Sequence, residues 1–120
     1  MKILDSFAWF EYFAGSKAGE RVRAILESGE TTGTPASGIA EIKRKRKREG
    51  KSYDRELHFI SSRSEIIPLT LKIALRAGDI DTLHFADALA YATALEHGAT
   101  LVTGDPHFKG LPNIELLGHR

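Results

Sequence analysis

The sequence has no cysteine, which excludes a disulfide framework, a thiolate nucleophile and a zinc–thiolate site. Long apolar runs are missing as well: hydrophobic stretches are short and broken by charge, so no segment is expected to span a membrane. The opening Met1-Lys2-Ile3-Leu4-Asp5 lacks the apolar region of a secretion signal. Neither sign of charge dominates, with 17 basic against 16 acidic side chains and a net charge of +1. Bulk charge therefore does not mark a nucleic-acid binder. These absences fit a reducing, cytoplasmic setting. Present in ordinary measure are hydrophobic residues at 42% and charged residues at 28% of 120 positions. That balance predicts one folded domain over residues 1–120 and excludes disorder as a description of the whole chain.

Short apolar runs alternate with amphipathic stretches, the pattern of βαβ units and a parallel sheet. Strands are expected at Met1–Leu4, Thr31–Thr34, Ile66–Ile67, Ala99–Val102 and Ile114–Leu117. Helices are expected over Ser6–Ala14, Lys17–Leu26, from about Ala36 into the basic run, Ser52–Ser62, Leu69–Ala77, and from Asp81 or Thr82 to His97. Thr34-Pro35 reads as an N-cap followed by proline in the first helical turn. Gly15, Gly29, Gly50, Gly78 and Gly98 punctuate the helices.

Four acids stand out. Asp5 and Asp105 follow apolar strands, and ligands of open parallel α/β sheets bind beyond the carboxyl ends of strands. The plainer role for each is capping the helix that follows. Asp87 shares a helix face with Ala90, Tyr91 and Ala94. A carboxylate on such a close-packing face loses water, and a cation or hydrogen-bond donors must offset that loss. A first-turn acid favoured by the helix dipole is the alternative, for which Asp81 and Thr82 are better placed. Glu41 lies between Ile39 and Ile42 and just before the basic run. Clustered carboxylates repel and raise one another's pKa. A hard divalent cation relieves that repulsion, and an all-oxygen donor set selects Mg²⁺ or Mn²⁺.

Charge is concentrated rather than spread. Lys43, Arg44, Lys45, Arg46, Lys47 and Arg48 form an unbroken basic run. Six successive helical residues point all round the axis, so only some can face a crevice and meet a phosphate backbone. Phe7, Trp9, Phe10, Tyr12 and Phe13 crowd seven positions. They are too many for one core face, which leaves some for a dimer or partner surface. His58, His84, His97, His107 and His119 show no paired metal spacing and read as surface or helix-end residues, with His107 nearest an acid.

Together these segments resemble the PIN-domain family. Met1-Lys2-Ile3-Leu4-Asp5-Ser6 is similar to its opening strand, acid and hydroxyl, and Ser37-Gly38-Ile39-Ala40-Glu41-Ile42 to its second-acid helix. Leu83–Leu95 resembles its third-acid helix, and Gly98–Phe108, with Thr103-Gly104-Asp105, its last strand and fourth acid. The size is similar to that of VapC-type toxins of toxin–antitoxin pairs. The resemblance implies a three-layer α/β/α fold with a parallel, five-stranded sheet and Mg²⁺- or Mn²⁺-dependent cleavage of RNA. It further implies a homodimer and a small cognate antitoxin. Asp5, Glu41, Asp87 and Asp105 match the family's acids, and Ser6 and Thr103 its acid-orienting hydroxyls. Ser6 stands where threonine is common, and Gly104 where a polar residue is common.

Two rival readings have definite requirements. A phospho-acceptor receiver module is similarly long and doubly wound, but needs an acceptor aspartate after a mid-chain strand. Only Asp54 lies near there, in a polar helix start. A PIN fold that binds partners without catalysis would not need all four acids.

Overall fold

The computed structural model describes residues 1–118. The chain runs β1 (Lys2–Leu4), α1 (Ser6–Ala14), α2 (Lys17–Glu27), β2 (Thr32–Pro35), α3 (Ala36–Arg48) and α4 (Asp54–Arg63). It continues through β3 (Glu65–Ile67), α5 (Leu71–Gly78), α6 (Phe85–Glu96) and β4 (Thr100–Thr103), then a 3-10 turn at Pro106–Phe108, and ends with β5 (Ile114–Leu116). The strands form one sheet in the order β3-β2-β1-β4-β5, with every neighbouring pair parallel. Leu4 lies opposite Val102 across the central β1–β4 pair.

Successive strand residues point to opposite faces, and both faces of this sheet are covered. Leu4 and Val102 pack with Trp9 of α1, Val22 of α2, Ile42 of α3 and Ile60 of α4. Ile3 and Leu101 face the other way, onto Ala90, Tyr91 and Ala94 of α6. Helix α5 packs on α6 through Ile73, Ala77, Ala88, Leu89 and Ala92. The result is a parallel sheet, as the alternating pattern predicts, in the three-layer α/β/α arrangement that the family resemblance implies. Each fully buried aliphatic side chain of β1 and β4 contributes roughly 1.5–3 kcal/mol.

Local chemistry fixes the helix ends. Asp5 caps α1, which closes at Gly15 in the left-handed region (φ 69°). Ser16 then caps α2. Gly19 passes so close to α1 that a Cβ there would collide with the Glu11 carbonyl. The buried Trp9 indole N–H donates to Thr34 Oγ1 at 3.0 Å, and Thr34 Oγ1 pairs with Ser64 Oγ at 2.7 Å. This chain ties α1 to β2 and to the start of β3.

That tie overturns the expected Thr34 cap. The Thr34 hydroxyl serves the buried indole instead, and Pro35, extended at φ −62° and ψ 140°, takes the N-cap position with no side-chain cap bond. Neither Asp81 nor Thr82 caps α6, which starts at Phe85 after His84. Ile80 and Leu83 pack into the core from the preceding loop, and this holds the chain non-helical until His84. Asp87 therefore lies in the first turn of α6. Helix α4 begins at Asp54 rather than Ser52. His119 lies outside the described residues. Among the described residues no helix is long and apolar enough to cross a membrane.

Candidate active site

Strand order reverses at the β1–β4 pair: β1 leads to β2 on one side and β4 to β5 on the other. The diverging connections open a crevice at the carboxyl ends of these strands, and two acids stand at its floor. Asp5 directly follows β1 and is only 6% exposed. Its Oδ1 accepts the Ala8 backbone N–H at 2.9 Å. Thr103, fully buried at the end of β4, hydrogen-bonds Asp5 and accepts the Asp105 backbone N–H at 3.2 Å. One hydroxyl thus spans both acids; because it accepts from Asp105, its own proton goes to Asp5. Asp105 caps the 3-10 turn, its Oδ1 accepting the His107 N–H at 2.9 Å. Both acids cap the element that follows while also facing the crevice.

Asp87 and Glu41 enter from the helices. Asp87, in the first turn of α6, hydrogen-bonds Asp105. Two carboxyls in contact require a proton between them, or a cation in its place. Glu41, half-buried in α3, is bonded by the Ser6 hydroxyl. Asp5 interacts electrostatically with Asp87 and Glu41, and Asp87 with Asp105 and Glu41. All four sequence-selected acids therefore belong to one electrostatic neighbourhood.

Burial outweighs the donors at three of the four. Burial pushes Asp5 up to about 7, against the bonds from Thr103 and Ala8 and helped by the Asp87 and Glu41 charges. Asp87 rises to about 6, first through burial, then through Asp105, with His84 opposing. Burial also raises Glu41, and Ser6 opposes. At Asp105 burial acts upward, but the His107 N–H and imidazole together with Asp87 outweigh it and hold the group below the usual range. Among the described residues, the ion pair that reaches any of the four is His107–Asp105. Among the described residues no lysine or arginine pairs with any of the four acids.

A divalent cation would. The donor set is all oxygen, the choice of hard cations. Among the described residues no three His, Asp or Glu side chains are drawn into a ready-made cage. Mg²⁺ does not need one: it commonly takes one or two protein carboxylates and completes its shell with water and phosphate. The Asp87–Asp105 contact suits that mode.

The basic run divides by helix face. Lys43 Nζ lies over the Tyr53 ring at 4.7 Å, Lys45 pairs with Glu49 at 3.1 Å, and Arg46 pairs with Glu56 at 3.1 Å. Lys47 is exposed. Arg44, Lys45 and Arg48 line a groove of about 550 Å³ together with Phe10, Glu41, Glu49 and Ala86. This groove runs past Glu41 and the residue preceding Asp87.

Three features escape a reading of the sequence by motif. His84 meets His107 edge-on, with ring centroids 5.8 Å apart; its position three residues before Asp87 is the signal that could have found it. The His107 imidazole bonds Asp105 at 2.7 Å, where the sequence marks it only as the histidine nearest an acid. Gly104 is explained by Phe7, whose ring occupies the space where a Cβ would stand.

Comparisons with known proteins agree with this fold. The family model for the PIN domain matches residues 2–113. No curated protein sequence matches the chain. Similar solved structures include a toxin–antitoxin complex from Klebsiella pneumoniae, at 21% identity and TM-score 0.79, covering 96% of both chains. VapBC2 from Rickettsia felis, bound to a DNA fragment from their promoter, is similar at 22% identity and TM-score 0.77, covering 98% of both chains. DNA-bound VapBC from Salmonella typhimurium is similar at 19% identity and TM-score 0.69, covering 96% of this chain and 95% of that one. With its parallel sheet, its acids at the strand ends and a family match over nearly its full length, the chain belongs to the PIN-domain family.

Proposed function

We propose that the chain is a Mg²⁺- or Mn²⁺-dependent ribonuclease, one PIN unit that serves as the toxin of a VapBC-type pair. The observation that carries this reading is the carboxylate cluster at the strand switch point, buried at Asp5 and part-buried at the other three acids, with Asp5 and Asp87 both held well above the ordinary carboxylate range. Fold stability does not call for such a cluster; binding of a cation and a phosphate does.

Asp87 and Asp105 would hold the ion directly, with Asp5 completing the site beneath them. A bound divalent ion supplies water activation and charge neutralisation at the scissile phosphate. Thr103 keeps the Asp5 carboxyl aimed at the crevice by donating to it. Ser6 orients Glu41, whose raised pKa suits it to take the proton of the attacking water. Arg44 and Arg48 on the groove wall lead the RNA backbone toward the acids. Similarity to toxin–antitoxin complexes supports a small cognate antitoxin, and exposed apolar residues of α5 support a homodimer.

The test is cleavage of defined RNAs. Mg²⁺ or Mn²⁺ should sustain it and a chelator should stop it, while Asp5→Asn and Asp87→Asn should each lower the rate at least about a hundredfold. An unchanged rate in either variant overturns the assignment. Wild-type protein that binds Mn²⁺ without cutting RNA would instead mark a PIN fold retained for binding.

A further inference from the structure

His107 makes two contacts with Asp105, and both land on the same oxygen. Its backbone N–H meets Oδ1 at 2.9 Å and its ring Nδ1 meets Oδ1 at 2.7 Å. An ionised carboxylate only accepts, so Nδ1 carries the proton and donates it. The backbone N–H alone satisfies the cap of the 3-10 turn. The imidazole bond is therefore additional to what the fold requires. Nor does burial force it, since the His107 side chain is 64% exposed.

The surroundings hold this arrangement rigid. Pro106 restricts the backbone on one side of His107. On the other, Phe108 is fully buried and packs edge-on against Tyr91 with centroids 5.8 Å apart. His84 stands across the imidazole with its ring at 80° to it. Two donors on one oxygen, from a turn anchored in the core, stop the Asp105 carboxyl from rotating. His107 takes Oδ1 twice and makes no bond to Oδ2, while Asp87 bonds the same carboxyl.

We infer that His107 is a positioning residue of the metal site, clamping Asp105 through Nδ1 so that only Oδ2 is offered to a divalent cation beside Asp87. This rests on the metal-site reading proposed above. The partner that orients a metal-ligating carboxylate governs affinity for the ion without touching it. His107 thus sets how well the site is formed before RNA arrives.

The experiment is Mn²⁺ titration followed by the electron paramagnetic resonance of the free ion, at one fixed pH and without RNA. Four variants are compared with wild type: His107→Ala, His107→Asn, His107→Gln and Asp87→Asn. Asparagine places a nitrogen where Nδ1 was; glutamine places one where Nε2 was. His107→Ala and His107→Gln should bind Mn²⁺ about 10–100-fold more weakly. His107→Asn should stay close to wild type, and metal-free thermal transitions should be alike. Equal affinity in His107→Ala, or an Asn variant as weak as Ala, overturns the inference. If wild type binds and Asp87→Asn does not, such a failure belongs to His107 alone. If wild type does not bind Mn²⁺, the metal-site reading falls and the inference with it.

Discussion

Single side chains in this site carry two duties. Asp5 caps α1 and Asp105 caps the 3-10 turn, each while facing the crevice. A sequence reading sets capping against chemistry; in the structure capping uses one oxygen of each carboxyl, so the two duties are compatible. Gly104 is a similar case. A Cβ at that position would run into the Phe7 ring, so a polar side chain there is sterically excluded as long as Phe7 stays. Gly104→Asn should therefore destabilise the protein by about 1–3 kcal/mol through overpacking, read as a lower thermal midpoint. Phe7→Ala combined with Gly104→Asn should recover part of the loss. A Gly104→Asn protein as stable as wild type would show that the ring is not the constraint. No one-dimensional pattern reveals this pairing, since positions 7 and 104 meet only through the β1–β4 neighbourhood.

At the scale of elements, period and punctuation predict well where burial decides. Ile3-Leu4 and Leu101-Val102 read as buried strands and are fully buried, and the expected bounds of α1 match the observed Ser6–Ala14. Prediction fails where a tertiary partner claims a local signal. Thr34 has the chemistry of an N-cap, but the Trp9 indole takes its hydroxyl. Asp81 and Thr82 look like caps, but Ile80 and Leu83 keep that segment as loop. Helix α3 shows what periodicity can resolve within a charge run. Glu41, Arg44 and Arg48 share the groove wall, whereas Arg46 is held by Glu56 and by the Ser52 carbonyl. Replacing Arg44 and Arg48 by alanine should weaken binding of single-stranded RNA, measured with chelator present to keep the RNA intact. The log–log salt slope should fall by about 1.4, from two phosphate contacts at about 0.7 each. Arg46→Ala should leave the slope nearly unchanged. An unchanged slope in the double variant would place the RNA path elsewhere.

For the whole molecule, the aromatic segment 7–13 is less of an outer surface than its density suggests. Trp9 is fully buried, and Tyr12 stacks on Phe59 with centroids 5.4 Å apart. The larger apolar exposure lies just before α5, along it and at the start of α6: Leu69 50%, Leu71 75%, Leu75 65% and Phe85 73%. A homodimer buried there predicts that Leu71→Lys with Leu75→Lys sediments as a monomer under conditions where wild type is a dimer. A wild type that remains monomeric on concentration contradicts it. The fold buries Asp5 and part-buries Asp87 beside like charges, a cost that a bound cation would offset. Asp5 and Asp87 titrate near 7 and 6 in the folded protein, above their unfolded values near 3.9. Their contribution is therefore fully present below pH about 4 and is lost as the pH rises through about 7. Asp5→Asn removes the charge and keeps an N-cap residue. The decisive measurement is the thermal midpoint of metal-free wild type and Asp5→Asn from pH 4 to 8, repeated with Mn²⁺. The variant should match wild type at pH 4 and exceed it by roughly 5 °C or more at pH 8, with Mn²⁺ raising only the wild type. Parallel curves for the two proteins, unmoved by Mn²⁺, would contradict it.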